Sequence, residues 1–214
     1  MPKKSDASQK DSGQVPIPGM RQRRGRKRRA EILRAGRNLF AQYGFRGTSL
    51  AMLAQEVGMT DAGLLYHFPT KNDLLLAVLE ETDEAQETRM AGDLDTANAD
   101  YIASWAEFGQ VLEDDPVLTA LDVLMSAEHL QTSSDFNQYF RRRYDSFRNR
   151  LVRSFEAGRA AGVFRTDFDP QTEAVLMLAT LDGLRLQWLL SDGRISMANA
   201  MRYFIRHMEA RIRA

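Results

Sequence analysis

Apolar residues recur every three or four positions through most of this chain, and almost nowhere do they alternate in the manner of a strand. Ile32, Gly36, Leu39, Phe40 and Tyr43 fall at helical spacing, with Gly44 where a left-handed stop is expected. Thr48 or Ser49 can cap a second helix that carries Leu50, Leu53, Ala54 and Val57 and ends at Gly58. Thr60 can cap a third, very short helix, closed at Phe68 because Pro69 disfavours helix in the residue before it. Thr70 and Asp73 stand in capping-box register for a fourth, with Leu74, Leu75, Val78 and Leu79 on its apolar side.

Helical spacing continues over 99–112, and Asp115-Pro116 opens a further helix with a cap and a first-turn proline. From Ser134 a long stripe runs through Phe136, Phe140, Tyr144, Phe147, Leu151 and Phe155 and stops near Gly162. Asp169-Pro170 repeats the cap signature before a strongly apolar helix at 170–190, and Ser196 can cap the last one. With no strand alternation and no internal repeat, the fold class is all-α: an N-terminal three-helix unit followed by a larger helical body. Residues 1–20, rich in Lys, Ser, Gly and Pro, predict a disordered extension; 21–71 and 72–214 are the two expected domains.

Charge changes this picture where composition does not. The net charge of zero hides a split: residues 1–71 carry about +9 and the rest about −9. A basic front end on an acidic body points to a polyanion partner at one end only. The run "RQRRGRKRR" at 21–29 is the centre of that charge. It reads as an arm that follows a minor groove, with Arg24, Arg26 and Arg28 as contacts, or alternatively as a nuclear-localisation run. The chain has no cysteine, which removes disulfides and thiolate metal sites. No apolar run approaches the length of a signal peptide or a membrane span, so a cytoplasmic protein with no membrane partner is the expectation.

The segment 48–71 holds the chemistry. Two short helices joined by "GMT" make a helix-turn-helix candidate, with small Ala54 at the crossing and Gly58 at the turn. Val57, Met59, Leu64 and Phe68 supply the contacts between them. Thr60, Asp61, Ala62, Leu65 and Tyr66 are left on the face that can enter a major groove, where base edges carry a distinctive donor and acceptor code. Asp61 there either accepts from cytosine N4 or simply favours the helix N-terminus.

The stretch "YGFRGTSLAMLAQEVGMTDAGLLYHFPTKNDLL" (43–75) resembles the DNA-binding domain of the TetR family of one-component transcriptional regulators. The likeness covers about 50 residues and rests on the Tyr-Gly-Phe-x-Gly-Thr-Ser entry, the Leu-Ala-x-x-x-Gly turn and the His-Phe-Pro-Thr-Lys exit, in order. It implies a homodimer on a palindromic operator of double-stranded DNA, with a C-terminal helical domain for a small-molecule effector. It also implies phosphate contacts from Tyr66, His67 and Lys71, and contacts from Thr48, Ser49 and Gly63 nearby. Many relatives carry tyrosine where Leu65 stands, so one contact there is lost or becomes apolar.

In the body, the 170–190 helix is apolar nearly all round and must be covered on more than one side. Its own domain covers one side, and a partner subunit is expected on another. The resemblance implies the same of the last two helices, with Leu178, Leu181, Leu186, Leu189, Ile205 and Met208 at the interface. For the effector, Trp105, Phe108, Met125, Glu128, His129, Tyr139 and Tyr144 are the candidate lining of a mostly apolar pocket within about 72–165. Met125, Glu128 and His129 share a helical face at i, i+3 and i+4. No catalytic motif and no clustered His, Asp or Glu pattern stands out, so neither catalysis nor a cofactor or metal is expected. A DNA-binding architectural protein without an effector is the alternative.

Overall fold

The computed structural model describes residues 18–89, 99–130 and 135–214, and the expectation for residues 1–17 lies outside them. Among the described residues there are nine helices: α1 Pro18–Gly47, α2 Leu50–Glu56, α3 Asp61–His67, α4 Lys71–Arg89, α5 Ala99–Glu113, α6 Pro116–Glu128, α7 Asp135–Ala160, α8 Pro170–Leu190 and α9 Met197–Ile212. The all-α reading holds. The only extended pairing among these residues is an isolated antiparallel bridge between Phe164 and Arg213, which clasps the C-terminus to the α7–α8 loop.

The capping chemistry read from the sequence is in place. Ser49, Thr60, Asp115, Asp169 and Ser196 each accept a hydrogen bond from a first-turn backbone N–H. Thr70 and Asp73 form the reciprocal box: Thr70 N donates to Asp73 Oδ2 at 2.9 Å, and Asp73 N donates to Thr70 Oγ1 at 3.1 Å. Two expectations fail at the N-terminus. Pro18–Met20, grouped with the disordered extension, form the first turn of α1. The basic run is part of that helix rather than an extended arm, because arginine and lysine are strong helix formers and Pro18 sits at the start.

The helices bury two apolar clusters. One joins Ile32, Phe40, Leu53, Leu64 and Leu74 of the first four helices to Leu121 and Met125 of α6 and Phe136 and Phe140 of α7. The other lies among α5, α7, α8 and α9, around Trp105, Phe108, Phe155, Leu181 and Ile205. The cores are shared, so the three-helix unit is seated directly on the body through α6 and α7. At the far end Glu173 of α8 accepts both guanidinium arms of Arg211 of α9 at 2.8 and 2.7 Å.

Candidate nucleic-acid interface and the cavity behind it

The α2–α3 pair owes its sharp angle to how α2 ends. Gly58, at φ 62°, donates to Gln55 O at 3.1 Å, and Met59 N donates to Ala54 O at 2.8 Å. That is the paired closure of a left-handed helix stop, which a side chain at Gly58 would strain. Thr60 Oγ1 then caps α3 by accepting from Gly63 N at 3.1 Å.

Of α3 only Leu64 is buried, with the flanking Phe68, and both face α1 and α2. Asp61, Ala62, Leu65 and Tyr66 face outward, Gly63 and His67 are half-buried, and Tyr66 is 86% exposed. The Tyr66 and His67 rings meet edge to face with centroids 5.5 Å apart. This is the division of faces that the sequence predicts. Ser49 is exposed as well, at the head of α2.

Thr48, Arg24, Arg26 and Arg28 of the basic run, and Lys71 are placed differently from expectation. Thr48 is 1% exposed, and its hydroxyl donates inward to Gly44 O at 2.8 Å and Leu39 O at 3.1 Å. Its task is to close the end of α1, and its side chain does not reach the outer face. On helical α1, Arg24 and Arg28 share a side while Arg26 points roughly opposite. Arg28 instead pairs with Glu31 at 2.8 Å, and Arg29 lies 5.0 Å above the Phe68 ring. Lys71 Nζ donates to the carbonyls of Phe45 and Thr48, both at 2.8 Å, and sits 4.2 Å from the Phe45 ring centre. Burial pulls the Lys71 ammonium below the ordinary lysine value, and the nearby Glu128 carboxylate works against that shift.

Phe45 is the hub behind the α2–α3 pair. At Gly44 the chain turns with φ 70°, breaking α1 just before Phe45. Glu128, the last residue of α6, fills the space a side chain at Gly44 would need, and its Oε2 accepts from Phe45 N at 2.8 Å. The Phe45 ring packs on Phe136 and His129 with centroids 5.3 and 5.6 Å away. His129 is held by its Nδ1, which donates to Met125 O at 2.7 Å. Glu128, expected in an effector pocket, thus ties α6 to the helix-turn-helix unit.

A cavity of about 690 Å³ opens between α6, α7 and α8. Of the seven residues expected to line an effector pocket, His129 and Tyr144 border it. Trp105 and Phe108 belong to the second core cluster, where with Tyr144 and Arg185 they border only a small void of about 20 Å³, and Met125 is fully buried in the first. Tyr139 donates to Asp83, and burial, then the Asp83 charge, raises its phenol well above the usual range. The cavity also extends past 165 to Asp182, Arg185 and Leu186 of α8.

Its deep wall is charged. Arg143 is 9% exposed, with Nε 2.7 Å from Asp83 and NH2 3.1 Å from Asp122. Burial alone would lower the Arg143 guanidinium, but Asp122 and then Asp83 more than reverse this, so it stays protonated. Tyr144 donates to Asp182 at 2.8 Å, and burial raises the Asp182 carboxyl above its ordinary value, against the pull of Arg185. Asp122, Arg143, Asp182 and Arg185 were not among the expected residues. The available signal was a charge inside an otherwise apolar helix, as in "LTALDVLM" and "ATLDGLRLQWLL".

The expected dimer residues divide by face. Leu178, Leu181, Ile205 and Met208 are buried in the chain's own core, which corrects their assignment, and Leu189 is half-buried. Leu186, 48% exposed, continues a solvent-facing row with Val175, Leu176 and Leu190 along α8. Tyr203 on α9 is exposed too.

Residues 32–78 match the family described as "Bacterial regulatory proteins, tetR family", and residues 110–213 the one described as "BetI-type transcriptional repressor, C-terminal". Over 69 residues the chain is 39% identical to the HTH-type transcriptional regulator RutR of Escherichia coli K12, covering 32% of each protein. The chain thus matches about one third of the length of the first curated relatives. A longer match, 27% identical over 166 residues, covers 74% of this chain and 78% of the HTH-type regulator YfiR of Bacillus subtilis. Among solved structures, a TetR regulator from Chloroflexus aurantiacus superposes with a TM-score of 0.78 at 21% identity, over 89% of this chain and 98% of that one. A regulator from Saccharomonospora viridis in complex with choline gives 0.71 at 24%, over 88% and 99%.

Proposed function

Since the chain belongs to the TetR family of bacterial transcriptional regulators, we propose that it is a homodimeric repressor that a small-molecule effector releases from a palindromic operator. The observation that carries this reading is the outward face of α3, where Asp61, Ala62, Leu65 and Tyr66 are exposed around a single buried anchor, Leu64. In the bound state Ala62, Gly63 and Leu65 meet base edges and Tyr66 and His67 meet phosphates, joined by Ser49 at the head of α2. Asp61 takes the cytosine contact or leaves that edge unread. Lys71 acts one step back, by holding the loop that positions α2.

Two chains pair through the exposed α8 row of Val175, Leu176, Leu186 and Leu190, with Tyr203 of α9 beside it. Leu186 belongs both to that row and to the cavity wall, so pairing brings a partner subunit close to the cavity mouth. Release follows from the build of α6. Its Asp122, Val123, Ser126 and Ala127 line the cavity, and Glu128 at its end holds the Phe45 turn. A ligand that favours one setting of α6 shifts the spacing of the two reading heads, at a coupling of about 1–3 kcal/mol. The neighbour that binds choline supports a small-molecule role for this scaffold.

The experiment is selection of duplexes from random and genomic DNA, followed by anisotropy titrations. Enrichment of a dyad bound by two chains, lost with Tyr66→Ala, is expected. Recovery of no symmetric sequence, with affinities alike on all DNA, would sink the specific-operator reading.

A further inference from the structure

Within that regulatory reading, we infer that the cavity takes an amphipathic monocarboxylate, its carboxylate on Arg185 and its apolar body against Phe140, Val123 and Leu130. The argument starts from Arg185. The residue is 6% exposed, yet its NH1 and NH2 reach the carboxylates of Asp182 and Asp122 only at 3.5 Å, and its Nε–H has no acceptor. A buried charge is ordinarily paired and hydrogen-bonded, since removing it from water is expensive. Both carboxylates beside it are shared with other partners. Asp122 already takes Arg143 at 3.1 Å, and Asp182 accepts Tyr144 at 2.8 Å, its carboxyl raised by burial.

The remaining arginines of the cavity are mostly committed elsewhere. Four arginines line the cavity, Arg141, Arg143, Arg148 and Arg185, against three carboxylates, Asp122, Asp145 and Asp182. Arg148 is paired with Asp145 at the rim, and Arg143 is committed to Asp83 and Asp122. With Asp83 counted the four arginines and four carboxylates balance, so what distinguishes Arg185 and the exposed Arg141 is that no close ion pair engages either of them. A guanidinium presents its N–H groups as a planar fork that a carboxylate matches with two parallel hydrogen bonds. At about 690 Å³ the space exceeds what a simple inorganic anion needs and suits a body of drug-like size.

The test is calorimetry on the full chain without DNA. The probes are hexanoate, benzoate, 4-phenylbutyrate and indole-3-acetate, each beside its primary amide and the corresponding primary ammonium compound. Saturable binding of at least one carboxylate, with its amide and amine silent, is expected. Arg185→Met weakens it by at least roughly 30-fold, the cost of removing one partner of a buried charge pair. Because Arg185→Met also strips Asp122 and Asp182 of a neighbour, Val123→Trp serves as a second variant. It narrows the cavity from the α6 wall, removes no charged group, and abolishes the same binding. Tighter binding of an ammonium compound, equal binding of a carboxylate to wild type and Arg185→Met, or no binding of any of the four carboxylates at millimolar concentration would each overturn the inference. If a carboxylate binds as described but operator affinity does not change, the site stands and the effector reading of this cavity fails instead.

Discussion

Replacing Lys71 with methionine separates two roles for a residue at the edge of the reading head. Methionine keeps the stem that lies on the Phe45 ring and removes only the ammonium, which now serves the Phe45 and Thr48 carbonyls at 2.8 Å each. Hydrogen bonds from a charged donor contribute about 1.5–3 kcal/mol apiece. Two considerations put the total at the low end. Lys71 is only half-buried, so water can replace part of what the carbonyls lose. Burial also disfavours the charged form, as its lowered pKa indicates, and the variant escapes that cost. The expected loss is about 2 kcal/mol of unfolding free energy, read by urea denaturation. The salt dependence of operator binding then stays close to wild type, because no phosphate contact is removed. A lysine bound directly to phosphate gives the opposite pair of results. Stability would change by less than about 0.5 kcal/mol, and the slope of log K against log salt would fall by about 0.9. That second pair of results would refute the brace.

Other substitutions test the packing and the interface. Leu186→Glu places a charge on a surface residue of α8 and should leave the monomer folded while dissociating the dimer in sedimentation; an unchanged dimer would refute that interface. Leu181→Ala, five residues earlier on α8 but 2% exposed, should instead lower stability by about 2–5 kcal/mol in the same urea denaturation assay. A Cβ at Gly109 would lie 2.8 Å from Ala198 Cα and from the Met197 carbonyl oxygen, so α5 and α9 meet there backbone to backbone. Gly109→Ala should cost at least about 1–3 kcal/mol by thermal unfolding, since neither backbone can yield.

The local elements were legible because their signals are local. A cap residue and the amide it satisfies lie within three positions, which is why Ser49, Thr60, Asp115, Asp169 and Ser196 all cap where the pattern puts them. The two faces of α3 were equally readable, since 3.6-residue spacing alone separates Leu64 from Tyr66. Spacing does not say which of two apolar faces a helix turns inward. On α8 both faces are apolar, so Leu178 and Leu181 read like interface residues although they are core, while Val175 and Leu190 face solvent. The backbone shape of the basic run is hidden for a related reason. Its charge predicts a polyanion partner, but charge says nothing about backbone shape, and seven closely spaced arginines and lysines continue a helix readily.

Pairings between distant segments were the hardest to anticipate. Glu128 lies 83 residues from Phe45, and Arg143 lies 21 from Asp122 and 60 from Asp83. Nothing in the helical period of either partner marks the contact. Aromatic residues at helical spacing suit pocket lining and core alike, and Trp105 and Phe108, among the most favourable residues to bury, lie in the core. The informative residues were those least favourable to bury. Asp122 stands among apolar neighbours on α6, and Asp182 and Arg185 stand three positions apart inside the apolar run of α8. An ionised side chain persists at such a position only if another element answers it, so each is an incomplete half whose partner lies elsewhere in the fold. Arg143 answers Asp122 and Tyr144 answers Asp182, whereas Arg185 is answered only at 3.5 Å. The incomplete half that remains is therefore the place where a ligand belongs.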